Sequence, residues 1–134
     1  MKRSIMIIMA IAITFTLWVS FTVDKNIDDW EVPAKYEKMK NPYIDAVDND
    51  LIGKTIYVKH CKSCHGKKGA GDGTKAEELE TPMPGFATEA FQAQSDGALY
   101  YKTVFGRDEM PSYEKKIAEM EDRWLLVNYL RTLK

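Results

Sequence analysis

Cys61-Lys62-Ser63-Cys64-His65 is where two thiols and an imidazole come together in this chain of 134 residues. Two thiols three residues apart at the end of a helix project along one side of it, and the imidazole after the second can turn back over that side. This triplet suits covalent haem attachment: each thiol adds across one vinyl group to form a thioether, and His65 becomes an axial iron ligand. Three rival chemistries fit less well. A thioredoxin-like dithiol wants a βαβ setting, which the sequence lacks. A zinc site needs about four ligands, whereas there is no other Cys and the second His is His60, directly beside Cys61. A Cys61–Cys64 disulfide would close a tiny loop and add little stability.

The next question is a second axial donor, for which the sequence offers Met83, Met110, Met120 and His60. His60 lies on the attachment side and does not readily reach the opposite face. Met120 begins the last helix, and Met83 sits among prolines. Met110 is favoured over Met83, because it follows a helix in the loop Gly106-Arg107-Asp108-Glu109-Met110-Pro111, where Pro111 fixes the chain and withholds a donor.

The elements that position these residues read as helices. Asp48 or Asn49 can cap a helix running through Leu51, Ile52, Ile56 and Tyr57 to Cys61. Glycines at 66, 69, 71 and 73 and the run Thr81-Pro82-Met83-Pro84-Gly85 mark a long loop. Ser95 offers a cap for a helix over Asp96 to Phe105 that Gly106 stops. From about Ala118 to Leu133, Trp124, Leu125, Val127 and Leu130, with Tyr129 and Leu133, form a broad apolar stripe. No alternating segment of five or more residues argues for a sheet, so the fold class is all-α. The 85 residues from Asp50 to Lys134 are marginal for a core of side chains alone. A covalent macrocycle would supply the missing apolar surface.

Ahead of that domain, residues Ser4 to Val23 are 20 consecutive uncharged residues preceded by Lys2 and Arg3. At about 1.5 Å per residue they cover roughly the 30 Å hydrocarbon core of a bilayer. The expectation is an uncleaved anchor over 1–23, a transmembrane helix, in preference to a cleaved signal, whose apolar stretch is usually only ~7–15 residues. Either reading exports the remainder to the outer side of a cytoplasmic membrane, with Lys2 and Arg3 held inside. Residues 24–49 read as a polar tether, with a short helix within Ala34 to Met39 and Trp30 able to dock on the domain. Residues 50–134 are the domain itself.

Charge narrows the partners. The chain carries 19 Lys and Arg against 20 Asp and Glu, a net of −1, which is too nearly neutral for a nucleic-acid binder recognised by bulk charge. The first 23 residues hold two of the basic residues and no acid, so the exported part has a charge of −3. Within it, Lys54, Lys59, Lys62, Lys67, Lys68 and Lys75 stand together with one acid, Asp72. The expectation is a basic face that steers toward an acidic redox partner.

From about Leu51 onward the chain resembles the class I monohaem c-type cytochromes, particularly the small bacterial ones. The resemblance rests on the attachment motif, on Gly53 and Tyr57 of the first helix facing Leu126-Val127-Asn128-Tyr129-Leu130 of the last, on Gly69-Ala70-Gly71-Asp72-Gly73, and on Met110-Pro111. It implies a cytochrome c fold with one haem c, attached at Cys61 and Cys64 and ligated through iron by His65 and Met110. It also implies a proline carbonyl, from Pro82 or Pro84, behind the histidine ring, and propionate partners drawn from Arg107, Tyr100, Tyr101 and Trp124. A His/Met pair fills both axial positions, so the expected work is single-electron transfer between respiratory partners and not enzymatic catalysis. The other readings are a fixed haem subunit of a larger membrane oxidoreductase and an enzyme or gas sensor with an open iron position.

Overall fold

The computed structural model describes residues 30–134. The expected anchor over 1–23 and the first part of the tether lie outside the described residues. Among the described residues no helix is long and apolar enough to cross a membrane.

Among the described residues six helices follow one another: α1 (Ala34–Glu37), α2 (Ile52–His60), α3 (Lys62–His65), α4 (Glu89–Gln92), α5 (Asp96–Phe105) and α6 (Met120–Thr132), with a 3₁₀ turn at Ala76–Glu78. Among the described residues there is no strand, only an isolated bridge between Arg107 and Met110. Asp48 and Ser95 supply helix-start acceptors as read from the sequence, but α2 starts later than expected, with Leu51 outside it in the left-handed region at φ 54°. Asp48 accepts hydrogen bonds from the Ile52 and Gly53 N–H groups at 2.7 and 2.9 Å, and Ser95 accepts one from Ala98 N–H at 3.0 Å. Each satisfies donors that a helix leaves unpaired at its start, worth about 1 kcal/mol. Thr88 caps α4 in the same way, by accepting from Phe91 N–H; this single-turn helix has no apolar period to announce it.

Helix α6 is the spine. Its Leu126 and Leu130 join Tyr57, Cys61, Phe86, Tyr113 and Ile117 in one apolar cluster. Its Trp124 and Val127 join Leu99, Tyr100 and Val104 in another. The expected stripe is therefore wider than drawn, because α6 is covered from two sides: Leu126 is fully buried between α2 and the rest, while Tyr129 is only partly covered. The α2–α6 crossing is close because Gly53 presents no side chain there; a Cβ on it would run into the Leu125 carbonyl.

Residues 30–43 lie on the domain, while Ile44 and Val47 just after them are exposed. Tyr36, Met39 and Tyr43 lie against the cluster of α5 and α6, and Asn41 is buried, donating to Asn128 Oδ1 at 2.7 Å. A polar segment can dock this way without a sustained apolar period, because a few aromatics and one satisfied amide suffice.

Candidate cofactor site

Helix α2 ends at the attachment motif. Cys61 N–H still donates to the Tyr57 carbonyl at 2.9 Å, but at φ −113° the residue bends the chain, and its carbonyl then accepts from His65 N–H at 2.9 Å to start α3. The glycine-rich loop satisfies the carbonyls that this one-turn helix leaves open. Gly71 N–H donates to His65 O, Gly73 N–H to Cys64 O and Lys75 N–H to Ser63 O, at 3.0, 3.1 and 2.8 Å. From α2, the buried Tyr57 hydroxyl donates to Gly66 O at 2.6 Å. The motif is thus clamped from both sides, with Cys61, Cys64 and His65 turned inward and Lys62 and Ser63 exposed.

They turn onto two adjoining cavities of about 540 and 340 Å³. Cys61, His65, Pro84, Thr88, Met110 and Trp30 line both; Cys64, His60, Met83, Pro82 and Arg107 line the larger, and Phe86, Phe91, Leu99 and Leu130 the smaller. Such a largely apolar hollow, with a few convergent polar groups, is the usual form of a cofactor site.

Burial sets the protonation of the donors. The His65 imidazole is pulled down to about 4 by burial, so near neutral pH it is uncharged. Its Nδ1 is buried without a hydrogen-bond partner. A buried polar nitrogen left unpaired is costly. Burial and the neighbouring Cys64 push the Cys61 thiol up to about 12, so it is a neutral thiol. Burial likewise raises Tyr113 to about 12, and its hydroxyl donates to the His60 carbonyl at 2.9 Å. An uncharged imidazole with an orphaned nitrogen, two thiols and an apolar hollow are a donor set that fits a haem.

The structure brings Cys61, Cys64, His65 and Met110 to one cavity. Met83 lines that cavity too, but Met110 alone of the two also lines the smaller one. Met120 is 55% exposed at the start of α6, and His60 tilts against Tyr113 at 5.6 Å on the attachment side. Pro84 lines both cavities beside His65, whereas Pro82 lines only the larger; since Nδ1 has no partner, neither carbonyl bonds that nitrogen. Of the residues considered for propionates, Arg107 lines the cavity. Tyr100 and Trp124 are buried against each other at 4.4 Å in the core, and Tyr101 packs on Tyr36 and Phe105. Sequence reasoning missed Phe86, whose ring lies 4.7 Å from that of His65 and stacks at 4.4 Å on Phe91. Its only signal was an aromatic just after the Pro84-Gly85 turn.

Fold and site together define a helical domain of the kind that holds a covalently bound haem. The chain belongs to the cytochrome c family: the family model described as Cytochrome c matches residues 51–134, more than half of it, and supports a class I c-type cytochrome. Members of this family bind haem c with its iron and transfer electrons, and Cys61 and Cys64 stand in the matching attachment motif. No curated protein matches the chain in a sequence search.

Proposed function

We propose that the protein is a single-electron carrier with one haem, bound through thioethers at Cys61 and Cys64 and ligated by His65 and Met110. The observation that carries this reading is the meeting of all four side chains at one cavity. Each thiol would add its S–H across one vinyl group, forming a C–S bond at one carbon and placing the hydrogen on the other. His65 is uncharged in its pocket and has a nitrogen free to donate. Met110 is the better methionine, since its loop is fixed by reciprocal backbone bonds with Arg107 at 2.8 and 2.9 Å and followed by Pro111. When bound, haem supplies an iron that takes up and gives back one electron. His65 and Met110 would hold that iron and the apolar walls would exclude water, leaving no place on it for a substrate.

The uncharged run Ser4 to Val23 supports tethering at a cytoplasmic membrane with the domain on its outer side. All six lysines between Lys54 and Lys75 are exposed, a surface suited to an acidic redox partner, and the partner reaction should slow as ionic strength rises.

The ferric absorption spectrum of the purified full-length protein tests the ligation. A weak far-red band, the mark of iron–thioether ligation, is expected in the unsubstituted chain and in Met83→Ala and should vanish in Met110→Ala. A five-coordinate high-spin spectrum in the unsubstituted chain would refute the carrier reading. Intact mass gives the haem count.

A further inference from the structure

The family match begins at residue 51, yet the cavity is walled in part by a residue well before it. Trp30 lines both hollows. The Arg107 guanidinium lies 4.7 Å from its ring centroid and the Lys102 ammonium 5.6 Å, so the ring stands where α5 meets the loop that carries Met110. Arg107 is also the backbone partner of Met110: each N–H donates to the other's carbonyl, at 2.9 and 2.8 Å. Whatever fixes Arg107 therefore fixes the turn that presents Met110.

Trp30 is not held by its ring alone. The chain behind it lies so close to α5 that a Cβ on Gly97 would run into the Tyr36 carbonyl. Ser95 Oγ donates to Glu37 at 2.9 Å, and the Tyr36 ring packs on those of Tyr101 and Phe105 at 4.8 and 5.5 Å. From these contacts we infer that residues 30–43 form a strap belonging to the cofactor site, with Trp30 as a positioning residue that braces the Met110 loop. It lies outside the matched domain, and its hold on the Met110 loop runs through Arg107. The inference rests on Met110 being the second axial ligand.

The test uses full-length ferric holoprotein and the affinity for added imidazole, which must displace the methionine to bind. Loss of the Trp30 ring removes two cation–π contacts, so Trp30→Ala should raise imidazole affinity about tenfold, with the denaturation midpoint little changed. Trp30→Phe should recover most of the difference. Gly97→Ala, which lifts the strap at a distance from the cavity, should raise affinity in the same direction. Once Met110→Ala has opened the position, adding Trp30→Ala should change nothing further. Imidazole affinity in Trp30→Ala equal to that of the unsubstituted protein would overturn the strap while leaving the ligation intact. An affinity unmoved by Met110→Ala itself would overturn both.

Discussion

Gly53 and Leu125 meet backbone to backbone: α2 crosses α6 so closely that a Cβ on Gly53 would run into the Leu125 carbonyl and approach Tyr129 Cβ at 3.1 Å. Two effects oppose each other in Gly53→Ala. Helix propensity favours Ala by about 1 kcal/mol, but the obstacle is a peptide carbonyl that has no rotamer to move into, and forced overpacking costs about 1–3 kcal/mol or more. The collision should win, since the crossing is fixed along its length by Tyr57 and Leu126, both fully buried. Gly53→Ala should therefore lower the urea midpoint of the holoprotein, with Ala at exposed Lys54 as the control. A rise in midpoint would show that the helices have room to separate.

A second prediction concerns the strap's polar anchor. Asn41 donates to Asn128 Oδ1 at 2.7 Å and accepts from Tyr43 N–H at 2.9 Å, while Asn128 donates to Tyr43 O at 2.7 Å. The two amides satisfy each other and the backbone between them. Asn41→Ala leaves part-buried partners unpaired, at a cost of about 1 kcal/mol. Because Asn128→Ala breaks the same network, the double variant should lose clearly less than the sum of the singles. Strict additivity, or no loss at all, would mean that residues 30–49 are only a tether.

What the sequence made legible was local. The attachment motif, the Asp48 and Ser95 caps and the Gly106 stop each depend on residues whose chemistry is specific at short range, and each is present in the fold, whereas the Gly53 contact with the last helix was legible only through the family resemblance. Contacts made by ordinary residues across long separations were not legible. Phe86 reaches the His65 ring from a loop held by its N–H donating to Gly69 O at 2.7 Å and by its stacking on Phe91, and Asn41 finds Asn128 at a separation of 87 residues. Nothing in a stretch of polar residues with scattered aromatics says whether it hangs free or lies down. That is decided by the surface it meets, here the groove left by Gly97.

The last prediction is a pH dependence at the cavity rim. Glu109 accepts from Thr81 N–H at 2.9 Å and from Glu80 N–H at 3.1 Å, so its carboxylate ties the Met110 loop to the loop that carries Met83 and the two prolines. The Thr81 N–H first, then that of Glu80, holds this carboxyl below its ordinary value of 4.5. A lowered folded-state value means that the tie is fully present above 4.5 and is lost as pH falls through the folded value. The group is exposed, so the effect is local and not a global unfolding. Amide hydrogen exchange at Thr81 and Glu80 reads it directly. In Glu109→Gln both amides should exchange faster than in the unsubstituted protein at neutral pH, after normalising for intrinsic rates, and the two proteins should converge as pH drops below 4.5. Equal protection at neutral pH would show that the two loops are held together by packing alone, without the carboxylate.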